Sequence, residues 1–188
     1  MPVIVEYDPR WSALFEEERT RLLATTGTLL VTIEHVGSTA VPGLAANPII
    51  DIMGGVRELG EVTRYVVDLE GIGYEYVPQY EEYIPERRYF RKPRTGQGPR
   101  THHLHIVELT GTFWRHHLLF RDYLRTHPVA LRECADLKRC LAAEYGDDGR
   151  GYTDAKGPFV ESILARAEGK VPDAASGPSS TGRPFVGS

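Results

Sequence analysis

The chain alternates between two hydrophobic periods, and each period predicts a different kind of element. Between Asp8 and Gly27 apolar side chains recur every three to four residues, which is the spacing of an amphipathic helix. Asp8 is a suitable N-cap, and the proline after it is a suitable first helical residue. Residues 29–36 and 48–53 are instead rich in β-branched and other apolar residues, which is typical of buried strands. A helical period returns over residues 58–69 and ends at glycines.

After residue 70 the hydrophobic pattern predicts three strands, followed by three helices. The strands predicted there lie at residues 74–77, 88–91 and 101–109, with a Pro/Gly-rich turn at 93–99. The helices predicted after them lie at residues 112–126, 129–145 and 153–168. We therefore expect one domain of mixed α and β structure over residues 1–170, with a helical C-terminal part. Residues 171–188 are mostly Pro, Gly, Ser and Ala, and we expect a flexible tail there.

Composition and charge narrow the classes of function. A length of 188 residues with 41% hydrophobic and 26% charged residues suits a soluble domain with a sizeable core. The net charge of −4 gives no global attraction to nucleic acid or to an anionic membrane, and no run reaches the ~18 apolar residues of a membrane span. Cys134 and Cys140 are six apart in a helical pattern, which suits neither a zinc site nor a disulfide framework. We expect a cytoplasmic protein with a small-molecule substrate, and the sequence leaves its oligomeric state open.

The stretch IEHVGSTAVPGLAANPIIDI carries the first candidate site. Gly37 ends a predicted strand and lets the backbone approach a ligand closely, while Ser38 offers a hydroxyl and a backbone N–H. A short helix beginning near Ser38 would add an N-terminus that attracts phosphate. Asp51 lies on the next strand among apolar neighbours, where a carboxylate is costly unless it is paired or binds a metal ion. A phosphate cradle beside such a carboxylate predicts a nucleoside triphosphate and a divalent cation, Mg²⁺ or Mn²⁺.

The stretch RTHHLHIVE supplies candidate metal ligands. In a strand His103 and His105 point to one face, and the apolar residues beside them point to the other. If that face also carries Asp51, two imidazoles and a carboxylate form a set suited to Mn²⁺, Fe²⁺ or Zn²⁺ and poorly suited to Mg²⁺. The alternative is that both histidines form hydrogen bonds without a metal. His35 can likewise join the site or hold a structural hydrogen bond.

A basic segment without acids precedes these histidines. Its cations are Arg87, Arg88, Arg91, Lys92, Arg94 and Arg100. Guanidinium groups suit bidentate capture of phosphate, and we expect Arg91 and Lys92 to bind it because their strand leads into the histidine-bearing one. The alternative is a solvated hairpin whose charges protect an edge strand. We do not expect nucleic acid here, because the segment is short and no recognition helix accompanies it.

Gly37-Ser38 followed by Asp51 resembles the nucleotidyltransferase superfamily signature of Gly-Ser, a spacer, and then Asp-x-Asp or Asp-x-Glu. More closely, the segments VEYDPRW, IEHVGSTAVPGLAANPIIDI, HLHIVE and FRDYLRTHP resemble the GrpB family, over about residues 3–168. That family has a nucleotidyltransferase-like fold and sometimes occurs fused to dephospho-CoA kinase. The resemblance implies a mixed sheet flanked by helices, nucleotide binding at Gly37 and Ser38, and a catalytic, cation-binding role for Asp51.

The chain departs from the superfamily at Met53, where the second acid of the signature would stand. A thioether does not bind Mg²⁺, and two-metal chemistry needs several carboxylates. Three hypotheses therefore remain open. The first is transfer of a nucleotidyl group from a nucleoside triphosphate to a small acceptor. The second is a degenerate protein that binds a nucleotide or phosphorylated metabolite, and the third is ATP-dependent condensation through adenylation of a carboxylate.

Overall fold

Five strands form one mixed sheet within residues 3–171, the part of the chain that this computed structural model describes. The strands are β1 (Thr32–Val36), β2 (Ile50–Val56), β3 (Glu75–Tyr76), β4 (Arg87–Lys92) and β5 (His102–Glu108). The helices are α1 (Arg10–Thr26), α2 (Val66–Gly71), α3 (Thr112–Thr126), α4 (Pro128–Tyr145) and α5 (Gly149–Ala167). The strand order is β1-β2-β5-β4-β3, in which β2 and β5 are parallel and the other pairs are antiparallel.

The two faces of the sheet have different surroundings because the strands alternate apolar and polar residues. One face packs on α1 and α2 through fully buried side chains such as Ile52, Leu104 and Phe90. On the other face a small cluster of Val36, Met53 and Val107 packs under α3. The remainder of that second face carries polar side chains, and it contains the candidate site.

A separate apolar cluster joins the loop after β1 to the C-terminal helices. Leu44 of that loop packs with Leu124 of α3 and Ile163 of α5, and all three are fully buried. The helical layer therefore fixes the loop that carries Ser38. Within the described part of the chain, no helix combines the length and the apolar content that crossing a membrane requires.

The predicted fold class, a mixed sheet flanked by helices with a helical C-terminal part, is confirmed. The bounds of α3 are those predicted from its period. The helix predicted over residues 58–69 is wrong in its first half, because Leu59–Tyr65 forms a 3₁₀ helix. There Thr63 Oγ1 donates to the Gly60 carbonyl at 3.0 Å, a three-residue spacing that matches a 3₁₀ turn. Residues 172–188, most of the predicted tail, lie outside the described residues.

Candidate functional site

Asp51 and His103 lie side by side on the two parallel strands at the middle of the sheet. The β2–β5 register places Asp51 opposite His103, and the β5–β4 register places His105 opposite Tyr89 and His103 opposite Arg91. Because alternate residues share a face, these side chains all project from the face away from α1. The structure thus brings three predicted site residues, Asp51, His103 and His105, to one place.

Gly37 brings the backbone of the Gly-Ser turn against the Asp51 carboxylate. Its φ of 70° and ψ of −169° belong to a region that essentially only glycine adopts. A Cβ added at this position would overlap Asp51 Oδ2. Ser38 then begins a 3₁₀ helix, Ser38–Ala40, and its hydroxyl has no hydrogen-bond partner among residues 3–171. The predicted association of the Gly-Ser turn with Asp51 is therefore a direct contact in the structure.

His35 and Thr39 hold this turn from the core side. Thr39 Oγ1 donates to the Ile49 carbonyl at 3.1 Å and lies 3.0 Å from His35 Nε2. Since the hydroxyl hydrogen is used for Ile49, His35 Nε2 is the donor in the second bond. Burial lowers the pKa of His35 to about 4, and the neutral ring stacks on Phe15 with centroids 4.7 Å apart. Of the two roles left open for His35, the structure favours the structural one.

The Asp51 carboxylate faces nitrogen atoms of two imidazoles. His103 Nδ1 lies 3.1 Å from Asp51 Oδ1, and His105 Nε2 lies 4.0 Å from the same oxygen. Burial acts to raise the pKa of Asp51, but the interactions with His103 and His105 outweigh it and hold that pKa well below its usual value. An ionised carboxylate only accepts hydrogen bonds, so the nitrogens facing it carry hydrogens. In agreement, Arg87 donates to the other nitrogen of His105, Nδ1, at 3.3 Å.

These hydrogen positions bear on the predicted metal ligands. His103 Nδ1 donates to Asp51, and His105 Nε2 carries the ring hydrogen because Nδ1 accepts from Arg87. A nitrogen that carries a hydrogen has no lone pair for a metal, so in this arrangement neither of these two nitrogens is a ligand, and the metal role of the histidines stays a prediction. Within residues 3–171 no group of three or more His, Cys, Asp or Glu side chains is arranged to hold a metal ion. Met53, at the position of the missing second acid, is fully buried. Asp51 fits a cation site by itself, because Mg²⁺ commonly takes one or two carboxylates and completes its shell with phosphate oxygens and water.

Most of the basic segment is neutralised inside the protein. Arg91 binds Glu75 at 2.9 Å, and Lys92 binds Glu18 at 2.9 Å on the opposite face of the sheet. The other engaged cations are Arg88 with Glu81, Arg94 with the carbonyls of Glu70 and Tyr74, and Arg100 with Glu75. Lys92 therefore does not join the group around Asp51. Arg91 lies beside His103, but Glu75 already occupies its guanidinium.

Arg87 differs from the rest of the segment. Its hydrogen bond goes to His105, and no carboxylate among residues 3–171 lies within ion-pair distance. The guanidinium carbon lies 4.8 Å from the ring centroid of Tyr89 and 5.8 Å from that of Phe113. Its Nε is buried without a hydrogen-bond partner, and burial lowers the pKa of the guanidinium. A partly desolvated cation with an unused donor is suited to bind an anion.

His117 is a residue of this cleft that the sequence pattern does not identify. Its Nδ1 donates to the Phe113 carbonyl at 2.8 Å, its ring stacks on Phe113, and its centroid lies 6.4 Å from that of His105. Burial lowers the pKa of His117 to about 4, so the ring is neutral and Nε2 is an acceptor. The four-residue spacing of Phe113 and His117 is the available signal. It does not say which face of the sheet α3 covers, so it does not place His117.

Three comparisons with known proteins agree with one another. A family model described as GrpB protein matches residues 1–166. UPF0157 protein YqkA of Bacillus subtilis is 39% identical over 165 residues, which are 88% of this chain and 47% of that protein. Glutamate-rich protein GrpB of Alkalihalophilus pseudofirmus is 35% identical over 164 residues, which are 86% of this chain and 93% of that protein. The chain thus spans about half the length of YqkA and nearly the whole of the second relative.

The fold is also found in a solved structure. The crystal structure of conserved protein GrpB from Enterococcus faecalis superposes with a TM-score of 0.79 at 38% identity, over 89% of this chain and 98% of that one. A more distant relative is a dephospho-CoA kinase of Mycobacterium leprae, 29% identical over 190 residues that cover 46% of it. Since the family model matches nearly the whole described chain and a GrpB structure of 38% identity shares its fold, the chain belongs to the GrpB family.

Proposed function

We propose that the cleft around Asp51 binds a nucleoside triphosphate with a divalent cation, and that the protein transfers the nucleotidyl group to a small-molecule acceptor. The observation that carries the proposal is the contact between the Gly37-Ser38 turn and an ionised carboxylate. Arg87 supports it, because this guanidinium of the same face has no carboxylate of its own. Relatives named dephospho-CoA kinase add support for a ligand that carries phosphate.

Each residue has a defined task in this proposal. The Ser38 hydroxyl and the backbone of the turn hold phosphate oxygens, and Asp51 holds the cation. A bound Mg²⁺ or Mn²⁺ supplies neutralisation of the phosphate charge. His103 and His105 fix the orientation of the Asp51 carboxylate by facing it with N–H groups. Arg87 neutralises the charge that develops on the departing pyrophosphate. Arg91 contributes only if a ligand displaces Glu75, and Lys92 has no task here.

A second function is favoured by Met53. Met53 is fully buried at the position of the second acid, so its place in the sheet is filled by an apolar side chain. A protein with one carboxylate at this face binds nucleotides or phosphorylated metabolites more readily than it runs two-metal chemistry. In that case the same cleft is a binding site without catalysis, and the protein acts through a partner. Location in the cytoplasm stays a prediction under both functions.

Calorimetric titration with ATP in EDTA, Mg²⁺ or Mn²⁺ tests the proposed site. We expect binding to require a cation, and Asp51→Asn to abolish that requirement while the fold stays intact. Arg87→Met should weaken ATP roughly tenfold or more and leave adenosine unchanged, because one charge-assisted contact is lost. Arg88→Met is the matched control, since its guanidinium binds Glu81 instead.

The outcomes separate the two functions. Equal binding in EDTA and in Mg²⁺ by the wild type rules out the cation role of Asp51. Equal loss in Arg87→Met and Arg88→Met removes Arg87 from the phosphate site. Pyrophosphate release from ATP with a panel of small acceptors identifies a nucleotidyl transferase if the nucleotidyl group stays on the acceptor. Release of AMP together with pyrophosphate identifies condensation through an adenylated carboxylate instead. Cation-dependent binding without any release makes the non-catalytic function the leading one.

A further inference from the structure

Helix α3 holds the Gly-Ser turn through two guanidinium groups. Arg125 donates from Nε and Nη2 to the Ala40 carbonyl at 3.0 and 2.8 Å, and Arg121 donates to the His35 carbonyl at 2.9 Å. These two carbonyls stand on either side of the Gly-Ser turn. Because both arginines belong to one helix and are four residues apart, a single element fixes the chain before and after the turn.

The bidentate contact of Arg125 acts on the turn itself. Ala40 is the last residue of the 3₁₀ helix and is buried, so its carbonyl has neither a following helical turn nor much water to bond. The other contact of Arg125 is longer, with Nη1 at 3.4 Å from Asp122 Oδ1, and both of these side chains are partly exposed. Loss of the Arg125 guanidinium therefore leaves a buried carbonyl without its donors and frees the end of the turn.

The same helix also contacts the Arg87 side of the cleft. Four side chains of α3 recur every fourth residue along one slowly winding stripe, namely Phe113, His117, Arg121 and Arg125. The Phe113 ring centroid lies 5.8 Å from the Arg87 guanidinium carbon and 6.0 Å from the His105 ring centroid. From the first residue of the stripe to the last, the helix rises about 18 Å. Helix α3 thus touches Arg87 near its beginning and the Gly-Ser turn near its end.

We propose that Arg125 is a positioning residue of the candidate site, which holds the Gly-Ser turn in place relative to Arg87 so that the turn is ordered before a phosphate ligand binds. The inference rests on the proposed function for the identity of the ligand, and it adds a residue that acts through the turn. A turn that is already ordered raises affinity, because the ligand does not have to order it. The effect is confined to the phosphate part of the ligand, since the turn is what Arg125 holds.

Hydrogen exchange of the turn tests the inference without any ligand. The Ala40 N–H donates to the Gly37 carbonyl at 3.3 Å and the Val41 N–H to the Ser38 carbonyl at 3.2 Å, so their exchange reports whether the turn is formed. We expect Arg125→Met to speed the exchange of both amides roughly tenfold or more. Arg125→Lys should restore part of the protection, because an ammonium can still donate to the same carbonyl. Amides of the β2–β5 ladder should exchange as in the wild type.

Calorimetric titration of the full chain with ATP and with adenosine tests the consequence for the site. Arg125→Met should weaken ATP roughly fivefold or more and leave adenosine unchanged, and Arg125→Lys should recover part of the loss. Asp122→Asn is one control, because it removes the charge of the ion-pair partner but keeps both bonds to Ala40. Arg115→Met is the second, since that exposed cation of the same helix pairs with Glu168. Neither control should change the affinity for ATP.

The outcomes separate this inference from the proposed function. If Arg125→Met lowers the melting temperature but leaves the exchange of the two turn amides unchanged, the residue is structural only and the inference is overturned. Faster exchange with unchanged ATP affinity overturns it as well, and so does an equal loss of ATP affinity in either control. If the wild type does not bind ATP, the proposed function is overturned, and the exchange of the turn amides alone decides the inference. Arg125→Lys keeps a cation and provides both measurements if Arg125→Met does not fold.

Discussion

Gly37 lies so close to Asp51 that a side chain at position 37 would overlap the carboxylate. Two separate constraints meet there, since the backbone angles exclude other residues and the Asp51 carboxylate excludes a Cβ. Gly43, six residues later in the same loop, has a φ of 82° but nothing within 4 Å of an added Cβ. The chain therefore offers a pair of positions in which the two constraints can be separated.

We expect Gly37→Ala to destabilise the protein more than Gly43→Ala. The left-handed backbone alone should cost Gly43→Ala about 1–2 kcal/mol of unfolding free energy. Gly37→Ala adds displacement of the carboxylate, and it should also shift the NMR signal of the His103 Nδ1–H, which Gly43→Ala should leave in place. Urea unfolding gives the free energies. Equal losses with an unchanged His103 signal would mean that the turn and Asp51 are independent.

Strand alternation alone predicts that Asp51, His103 and His105 share a face once β2 and β5 are neighbours. It does not predict which cations stay available. Lys92 meets a carboxylate 74 positions away, at Glu18, and Arg91 meets one 16 positions away, at Glu75. Such pairings depend on how α1 and β3 pack on the sheet. The sequence favours Arg91 and Lys92 over Arg87, because their strand leads into the histidine-bearing one. The tertiary structure pairs those two cations with carboxylates and leaves Arg87 without one.

Helix α3 shows what periodicity does and does not determine at the scale of an element. Its long amphipathic period predicts its bounds. Nothing in that period predicts that it covers the Met53 side of the sheet or that it ties down the edge strand β1. That second task belongs to Arg121, which is buried and donates to Glu34 Oε2 at 2.7 Å and to the His35 carbonyl at 2.9 Å.

Arg121→Met should lower the free energy of unfolding by about 2–3 kcal/mol, because it removes charged hydrogen bonds and leaves a strand carbonyl unpaired. Arg115→Met, on the same helix, should change it by less than about 0.5 kcal/mol, since that side chain is 62% exposed in its pair with Glu168. Denaturant unfolding of both variants checks the contrast. A small loss for Arg121→Met would mean that β1 is held by its ladder to β2 alone.

At the scale of the whole molecule, one face of the sheet packs on the apolar core and the other face carries the candidate site. The first face packs against α1 and α2, whereas the second is covered by α3 and the C-terminal helices. The order of the predicted strands and helices along the sequence predicts a sheet followed by a helical C-terminal part. The parallel neighbour of β2 is not predictable from order, because β5 pairs with it across two intervening strands.

Truncation after Lys170 tests the predicted domain boundary. The removed segment has few large apolar residues, among them Phe185 and Val186, so little buried area is expected to be lost. We expect the free energy of unfolding to stay within about 1 kcal/mol of the full chain, measured by thermal and urea unfolding. A large fall in melting temperature would place part of residues 171–188 in contact with the domain.

The parallel pairing of β2 with β5 also governs when the site comes into existence. Asp51 and His103 stand 52 positions apart, and the chain between them must fold into other elements before the two strands meet. Contacts across such separations form late, because closing the intervening loop comes first. During synthesis the Gly-Ser turn and Asp51 leave the ribosome well before His103. A nascent chain therefore exposes the Gly-Ser segment before it has either the imidazoles or the helices that fix this loop, and ligand competence arises only with the complete fold.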